Sequence, residues 1–401
     1  MAAHEGHVES ERSQLIDEAA AWLEPDGPVA RCMDGFEARP QQLEMARTVA
    51  RLLGDGGVGL IEAGTGTGKS LAYLIPAVAA ALTHGKRVVV STNTIHLQEQ
   101  LLTKDVPLVQ RALAEQAPFK AATLKGWANY ICLLRLEQAD VDQATLFGNE
   151  REQLAQLRRW AKSDSHFGSR DEIPFAVDDD VWRDVHAESD TCVRHSCPFY
   201  EQCFYFRARR RAQEADIVIA NHHLVCADAA IRWRLGWDTD TSVLPGYEHV
   251  VFDEAHHLED VATEHFGIRF SRTRVRRLLA RVSGPRGVTE KVKHYVARVS
   301  EGEEASRVVG IIGEELPVAA AAAQTTTDGL FAYVATLARA SAPRVEGTSG
   351  PSEESVALSP GQLESQAWQP AADSLEQLAD VLKRLAETVR TWRSGEQEAE
   401  I

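Results

Sequence analysis

The sequence predicts an α/β fold, a parallel sheet covered by helices, and three observations carry that prediction. Short apolar runs of strand length alternate with longer amphipathic or apolar stretches of helix length. A glycine-rich loop joins one such run to a long apolar helix. A later apolar run ends in two adjacent carboxylates. Alternation of this kind places helices on the faces of a parallel sheet.

The elements follow in order. From Val58 the chain reads VGLIEA, KSLAYLIPAVAAAL, RVVVST and IHLQEQLL, expected as strand, helix, strand and helix. ADIVIAN (215–221) and HVVFDEA (249–255) are two further buried strands by the same criterion. Between them the pattern breaks: NEREQLAQLRRWAK is a charged helix, DEIPFAVDDD an acidic loop, and neither continues a sheet. The predicted organisation is therefore a lead-in over 1–35, a sheet domain over 36–124 and 215–265, an insertion over 125–214, and a helical region over 266–401. In that last region RVRRLLARV and PVAAAAAQ are helical, and a Pro/Ser/Gly/Glu-rich loop spans about 340–362. Leu375, Leu378, Leu382, Leu385, Val389 and Trp392 then recur at helical spacing, with Ser374 and Gln377 placed as a capping box. So short a run suits a helix packed within its own domain better than an intermolecular coiled coil.

The net charge of −16 argues against a protein that coats nucleic acid through bulk positive potential, so any such contact must come from local basic patches. Neither a signal-peptide core nor an apolar stretch of about 18 residues is present, and a cytoplasmic location is expected. In a reducing compartment the six cysteines are thiols or metal ligands rather than disulfides.

Residues 63–70, AGTGTGKS, follow the spacing G-x-x-x-x-G-K-[ST] with Ala63 in the first glycine's place. Ala63, Gly64, Thr65, Gly66, Thr67 and Gly68 form a loop whose amides and following helix N-terminus face one point where phosphate oxygens sit. Lys69 reaches the outer phosphates and Ser70 binds Mg2+, so ATP and magnesium are the expected ligands. VVFDEAHH (250–257) supplies the other half. Asp253 goes to the Mg2+, and Glu254 orients and deprotonates the attacking water.

The cysteines pose a separate question. Cys192, Cys197 and Cys203 stand four and five residues apart, and Cys132, at the other edge of the insertion, is the candidate fourth ligand. Four thiolates suit tetrahedral zinc or an iron–sulfur cluster, and spacing alone does not separate the two. Cys32 and Cys226 read as ordinary thiols. Arg207, Arg209, Arg210 and Arg211 follow the cysteines as a basic run, either a phosphate-binding edge or a solvated helix face. Phe204, Tyr205 and Phe206 are expected to pack beside the cysteines rather than stack on bases.

The Ala63 variant loop with the DEAH tetrad resembles superfamily 2 helicases and translocases. KGWANYIC, the C-x4-C-x5-C run, FYFRARR, ADIVIANHHLV and VVFDEAHHLED narrow the resemblance to the DinG/XPD group of iron–sulfur DNA helicases, over about residues 36–265. The resemblance implies a RecA-like motor lobe, a [4Fe-4S] cluster on Cys132, Cys192, Cys197 and Cys203, and 5' to 3' translocation on single-stranded or forked DNA. It also implies that FEARPQQLEMA is a Q motif whose Arg39 and Gln42 recognise adenine. In STNTIHLQEQL it makes Thr92, Asn93 and Thr94 contacts to the nucleic-acid backbone. No Q-x-x-G-R motif occurs, so a second motor lobe is expected to be absent and the 266–401 region to resemble an incomplete arch domain. The competing readings are a nucleotide-regulated DNA-binding module without turnover and a zinc-bearing P-loop ATPase.

Overall fold

The computed structural model describes residues 21–64, 66–113, 118–141, 148–163, 166–237, 243–267, 270–284, 287, 289–290, 292–293, 310–341, 361 and 365–399. They fall into two compact units, 1–268 and 269–401.

In the first unit, strands β1 (Val88–Thr92), β2 (Ala121–Thr123), β3 (Ile217–Asn221) and β4 (His249–Phe252) form a parallel sheet in the order β2-β3-β1-β4. β1 is buried along its whole length, and β3 over all but its last residue, as the apolar sequences VVVST and IVIAN require of strands covered on both faces. Ser91 is in register with Ala220 on one side and Phe252 on the other. The segments leaving β1, β3 and β4 therefore emerge together at the carboxyl edge of the sheet, where open α/β sheets place their ligands.

One face is covered by the helices Pro40–Asp55 and Lys69–His84, whose buried Ala46, Val49, Leu74, Ile75 and Val78 share a core with Val88, Val90, Ile217 and Ile219. Trp22, Leu23 and Val29 join that core, so the later part of the lead-in belongs to the domain rather than preceding it; residues 1–20 lie outside the described residues. The opposite face is covered by the insertion. Tyr130, Ile131, Leu157, Trp182, Phe204 and Tyr205 pack with Val89, Val218 and Ala220. The 125–214 segment is thus built onto the sheet through a shared apolar core.

One strand expectation fails. Val58–Glu62 forms no strand, and Val58 and Leu60 are 93% and 94% exposed. Among the described residues β4 pairs only with β1, so its other edge has no partner, and the VGLIE backbone has no neighbouring strand to bond. β2, by contrast, was not anticipated: three residues are too short for a periodic signal, and β2 exists only through its pairing with β3.

The second unit consists mainly of the helices Arg272–Ser283, Leu316–Ser341 and Gln369–Ala399, packed through Val275, Leu279, Ala320, Ala323, Leu330, Leu378 and Leu385. Small residues on the 316–341 helix allow close approach, and Arg272 pairs with Asp328 at the surface. The capping-box expectation at Ser374 is corrected: the last helix starts at Gln369, with Pro370 in its first turn, and the Ser374 hydroxyl donates to the Pro370 carbonyl at 2.7 Å inside the helix. Most of the Pro/Ser/Gly/Glu-rich loop (342–360) and the side chains of Val389 and Trp392 lie outside the described residues.

Candidate nucleotide site and cysteine cluster

Gly66 and Gly68 both take φ of +79°, a left-handed conformation that favours glycine, and Gly68 caps the helix Lys69–His84. A Cβ at Gly68 would meet Gln42 Nε2 at 2.3 Å. Gln42 Nε2 donates to the Gly68 carbonyl at 3.0 Å, and the Arg39 guanidinium donates to the Gly66 carbonyl. Thr67 Oγ1 closes the turn on the Gly64 carbonyl at 2.9 Å. Arg39 and Gln42 thus brace the loop's backbone, at the start of the helix Pro40–Asp55. Ala63 is half-buried and Gly64 exposed, while Thr65 lies outside the described residues.

Lys69 and Glu254, 185 residues apart in sequence, meet at 3.0 Å. Asp253 lies deeper; its Oδ2 accepts from the Tyr73 hydroxyl at 3.1 Å, and its N–H donates to the Ser91 carbonyl at 2.8 Å. Burial pushes the Asp253 carboxyl above the ordinary carboxylate range, partly offset by the Tyr73 bond. The Lys69 hydrogen bond holds Glu254 below its ordinary value. Burial beside Asp253 raises the Tyr73 phenol, which stays a protonated donor. Glu254 has φ of +56°, one of two non-glycine residues with positive φ among those described, so the backbone is strained where β4 hands over to the following turn. Tyr73 was missed from sequence; its signal is position, one helical turn beyond Ser70 and on the same face.

The segment after β1 divides. Ser91 and Thr92 are fully buried, Asn93 is half-buried and Thr94 exposed. Thr92 Oγ1 bonds inward to the Thr94 carbonyl at 3.1 Å, and Thr94 Oγ1 caps the helix Ile95–Gln100 by accepting from Leu97 N. The Thr92 side chain does not face outward toward a ligand.

Cys132 and Cys203 each stand immediately before a helix, Leu133–Val141 and Phe204–Glu214. Burial raises both thiols, but the Arg135 and Leu134 amides favour the Cys132 thiolate and those of Phe206 and Tyr205 favour the Cys203 thiolate. Cys192 Sγ accepts from the Arg194 amide at 3.4 Å. Among the causes that raise these thiols, the charge of Cys197 acts on Cys132, and that of Cys132 and Cys192 acts on Cys203. Among the described residues no three His, Cys, Asp or Glu side chains are arranged to hold one ion. All six cysteines are free thiols; Cys32 is exposed and Cys226 buried.

The aromatic residues beside them are structural. Tyr205 stacks on Trp127 at 3.6 Å and Phe204 is buried near His166, so neither face is open to a base. The arginines are engaged locally: Arg207 over Phe204, Arg209 with Tyr205, Arg210 with Tyr200 and Glu201, and Arg211 over Phe167. Each is half-buried rather than a free cation.

Comparison with known proteins agrees with this arrangement. Residues 40–116 match the DEAD/DEAH box helicase family, spanning the phosphate loop and the 91–94 segment, and residues 190–275 match DEAD_2, spanning the later cysteines and the DEAH strand. The chain is 37% identical over 243 residues to the ATP-dependent DNA helicase YoaA of Escherichia coli strain K12, covering 61% of this chain and 37% of the relative. It is 37% identical over 247 residues to the ATP-dependent DNA helicase DinG of Salmonella typhimurium, covering 57% and 33%. It is 37% identical over 250 residues to the ATP-dependent helicase DinG of Mycobacterium tuberculosis, covering 58% and 36%. The chain spans about a third of the length of these curated relatives.

Proposed function

We propose that this chain, which carries DEAD/DEAH box and DEAD_2 helicase segments, is an ATP-binding and hydrolysing part of an ATP-dependent DNA helicase that moves 5' to 3' on single-stranded or forked DNA. The observation that carries this reading is the convergence of Lys69 with Glu254 and of Tyr73 with Asp253 at the carboxyl edge of the sheet. Gly66, Gly68 and the N-terminus of the Lys69–His84 helix would cradle the phosphates, Lys69 would leave Glu254 for the outer phosphates, and Ser70 and Asp253 would hold Mg2+. Glu254, released from Lys69, orients the water and takes its proton. Asn93 and Thr94, at the exposed end of the 91–94 segment, contact the DNA backbone, and the basic 207–211 helix lies along its path.

The four cysteines supply the number of thiolates that an iron–sulfur cluster takes, and the mutual electrostatic influence among Cys132, Cys192, Cys197 and Cys203 supports assigning them to one group. Cys132, Cys192, Cys197 and Cys203 would hold a [4Fe-4S] cluster, whose four iron–thiolate bonds would cross-link both edges of the insertion. Amides at the two helix N-termini stabilise the thiolates it requires.

ATP hydrolysis stimulated by oligo-dT, and abolished by Lys69→Ala, tests the motor reading. Binding of Mg-ATP without turnover under any DNA would support a nucleotide-regulated module instead. Fewer than about one iron per chain, with zinc in its place, would overturn the cluster. By itself the chain is expected to bind ATP weakly and not to unwind a fork.

A further inference from the structure

His222 opens the helix that follows β3, is fully buried, and sits where β1, β3 and β4 end side by side. Its Nδ1 lies 2.7 Å from Ser91 Oγ, the residue before the 92–94 segment. Its ring lies 5.8 Å from that of Phe252, the residue before Asp253. Nε2 is enclosed and makes no hydrogen bond of good geometry; the nearest groups to engage it are the backbone of Glu254 and Asp253, which interact with the ring over a longer contact. A buried polar atom without a well-formed bond is costly and calls for a physical reason.

Three further facts bear on that reason. Glu254, beside His222 Nε2, is the strained left-handed residue of the site. Ser91 joins both sides, since its carbonyl accepts from Asp253 N while its hydroxyl engages His222. Gln98, on the helix packed against β1 and β3, is likewise buried with both amide atoms unpartnered. Ser91 and His222 thus form a side-chain link between the end of β1 and the Asp253–Glu254 turn.

We propose that His222 is a positioning residue that couples the 92–94 segment to the Asp253–Glu254 turn, so that a ligand bound at one alters affinity at the other. The inference rests on the nucleotide reading above and adds to it a specific route. An imidazole carries two distinct ring nitrogens, so one can accept while the other donates. With the Ser91 hydroxyl donating to Nδ1, the proton sits on Nε2 and is available to a carbonyl of the Asp253–Glu254 turn. A shift of that turn, when Lys69 releases Glu254, changes the contact at Nε2 and acts on Ser91 through the ring.

The experiment measures the affinity of a fluorescent mant-ATP with Mg2+, with and without saturating dT20, on the whole chain. In the wild type dT20 is expected to change the Kd at least about 5-fold, within the range of site–site coupling. His222→Phe keeps the ring packing and loses both nitrogens; the ratio is expected to fall to about 1 while mant-ATP alone still binds. Because that variant strands the buried Ser91 hydroxyl, the double variant Ser91→Ala/His222→Phe, apolar at both positions, is the folded control and is expected to give the same ratio of about 1. A wild-type ratio retained in the double variant, or a ratio of about 1 in the wild type itself, overturns the coupling and leaves the nucleotide reading intact. Absence of Lys69-dependent mant-ATP binding in the wild type overturns both.

Discussion

The 3.0 Å pair between Lys69 and Glu254 joins, on the proposed reading, the cation that binds phosphate to the carboxylate that orients water. On that reading nucleotide breaks the pair, and the two roles of Glu254 can be separated. Glu254→Gln is expected to tighten Mg-ATP binding by about 2- to 5-fold, the range of a partly exposed ion pair, while removing hydrolysis; calorimetry and phosphate release read the two effects. Asp253 gives a sign to the pH dependence. Its folded pKa is raised by burial, so its contribution to stability is present below the unfolded carboxylate pKa and is lost as pH rises through the folded value. Asp253→Asn, which still accepts from Tyr73, is therefore expected to raise the melting temperature at pH 7 by about 2–4 °C and much less near pH 3. The same substitution removes Mg2+ affinity. Equal shifts at both pH values would contradict the burial argument. Tyr73→Phe is expected to weaken Mg-dependent binding with little change in Mg-free binding, because the phenol only holds Asp253 in place.

At the scale of elements, legibility followed how much of each signal was local. β1, β3 and β4 were readable from VVVST, IVIAN and HVVF, because burial on both faces demands continuous apolar runs. VGLIEA carries the same composition and forms no strand, since pairing depends on a neighbour the composition does not encode. Lys69, Asp253 and Glu254 stood out in the sequence because phosphate and metal chemistry restricts residue type and spacing, and the fold places Lys69 against Glu254 and Asp253 beside them. Tyr73 and His222 did not stand out, since each acts through a contact made by the folded chain. Lys125 is a third such case. Its side chain is 8% exposed, pairs with Asp171 of the insertion at 2.5 Å, and stands 3.6 Å from Glu99 of the helix after β1. Glu99 is pushed up, first by the hydrogen bond it shares with Asp171, and Lys125 stands against both carboxylates. Lys125→Met leaves those carboxylates facing each other and is expected to cost about 3–5 kcal/mol in chemical denaturation. A cost below about 1 kcal/mol would mean that the insertion is held by its apolar core alone.

For the whole molecule, the net charge of −16 and the engaged arginines make any DNA contact local, so its affinity should have a shallow salt dependence. A log–log slope steeper than about −5 would require a basic surface larger than the 207–211 helix. The side of β4 that has no partner among the described residues carries a further consequence, for the behaviour of the protein in bulk. A strand with unused main-chain groups, in a chain that also exposes Val58 and Leu60, offers passing chains both a template and an adhesive. Light scattering of the purified chain is expected to rise with concentration, and Val58→Lys with Leu60→Lys to suppress the rise. The handling of this protein at the bench, its tendency to cloud and its tolerance of storage, is thus set beside the nucleotide loop.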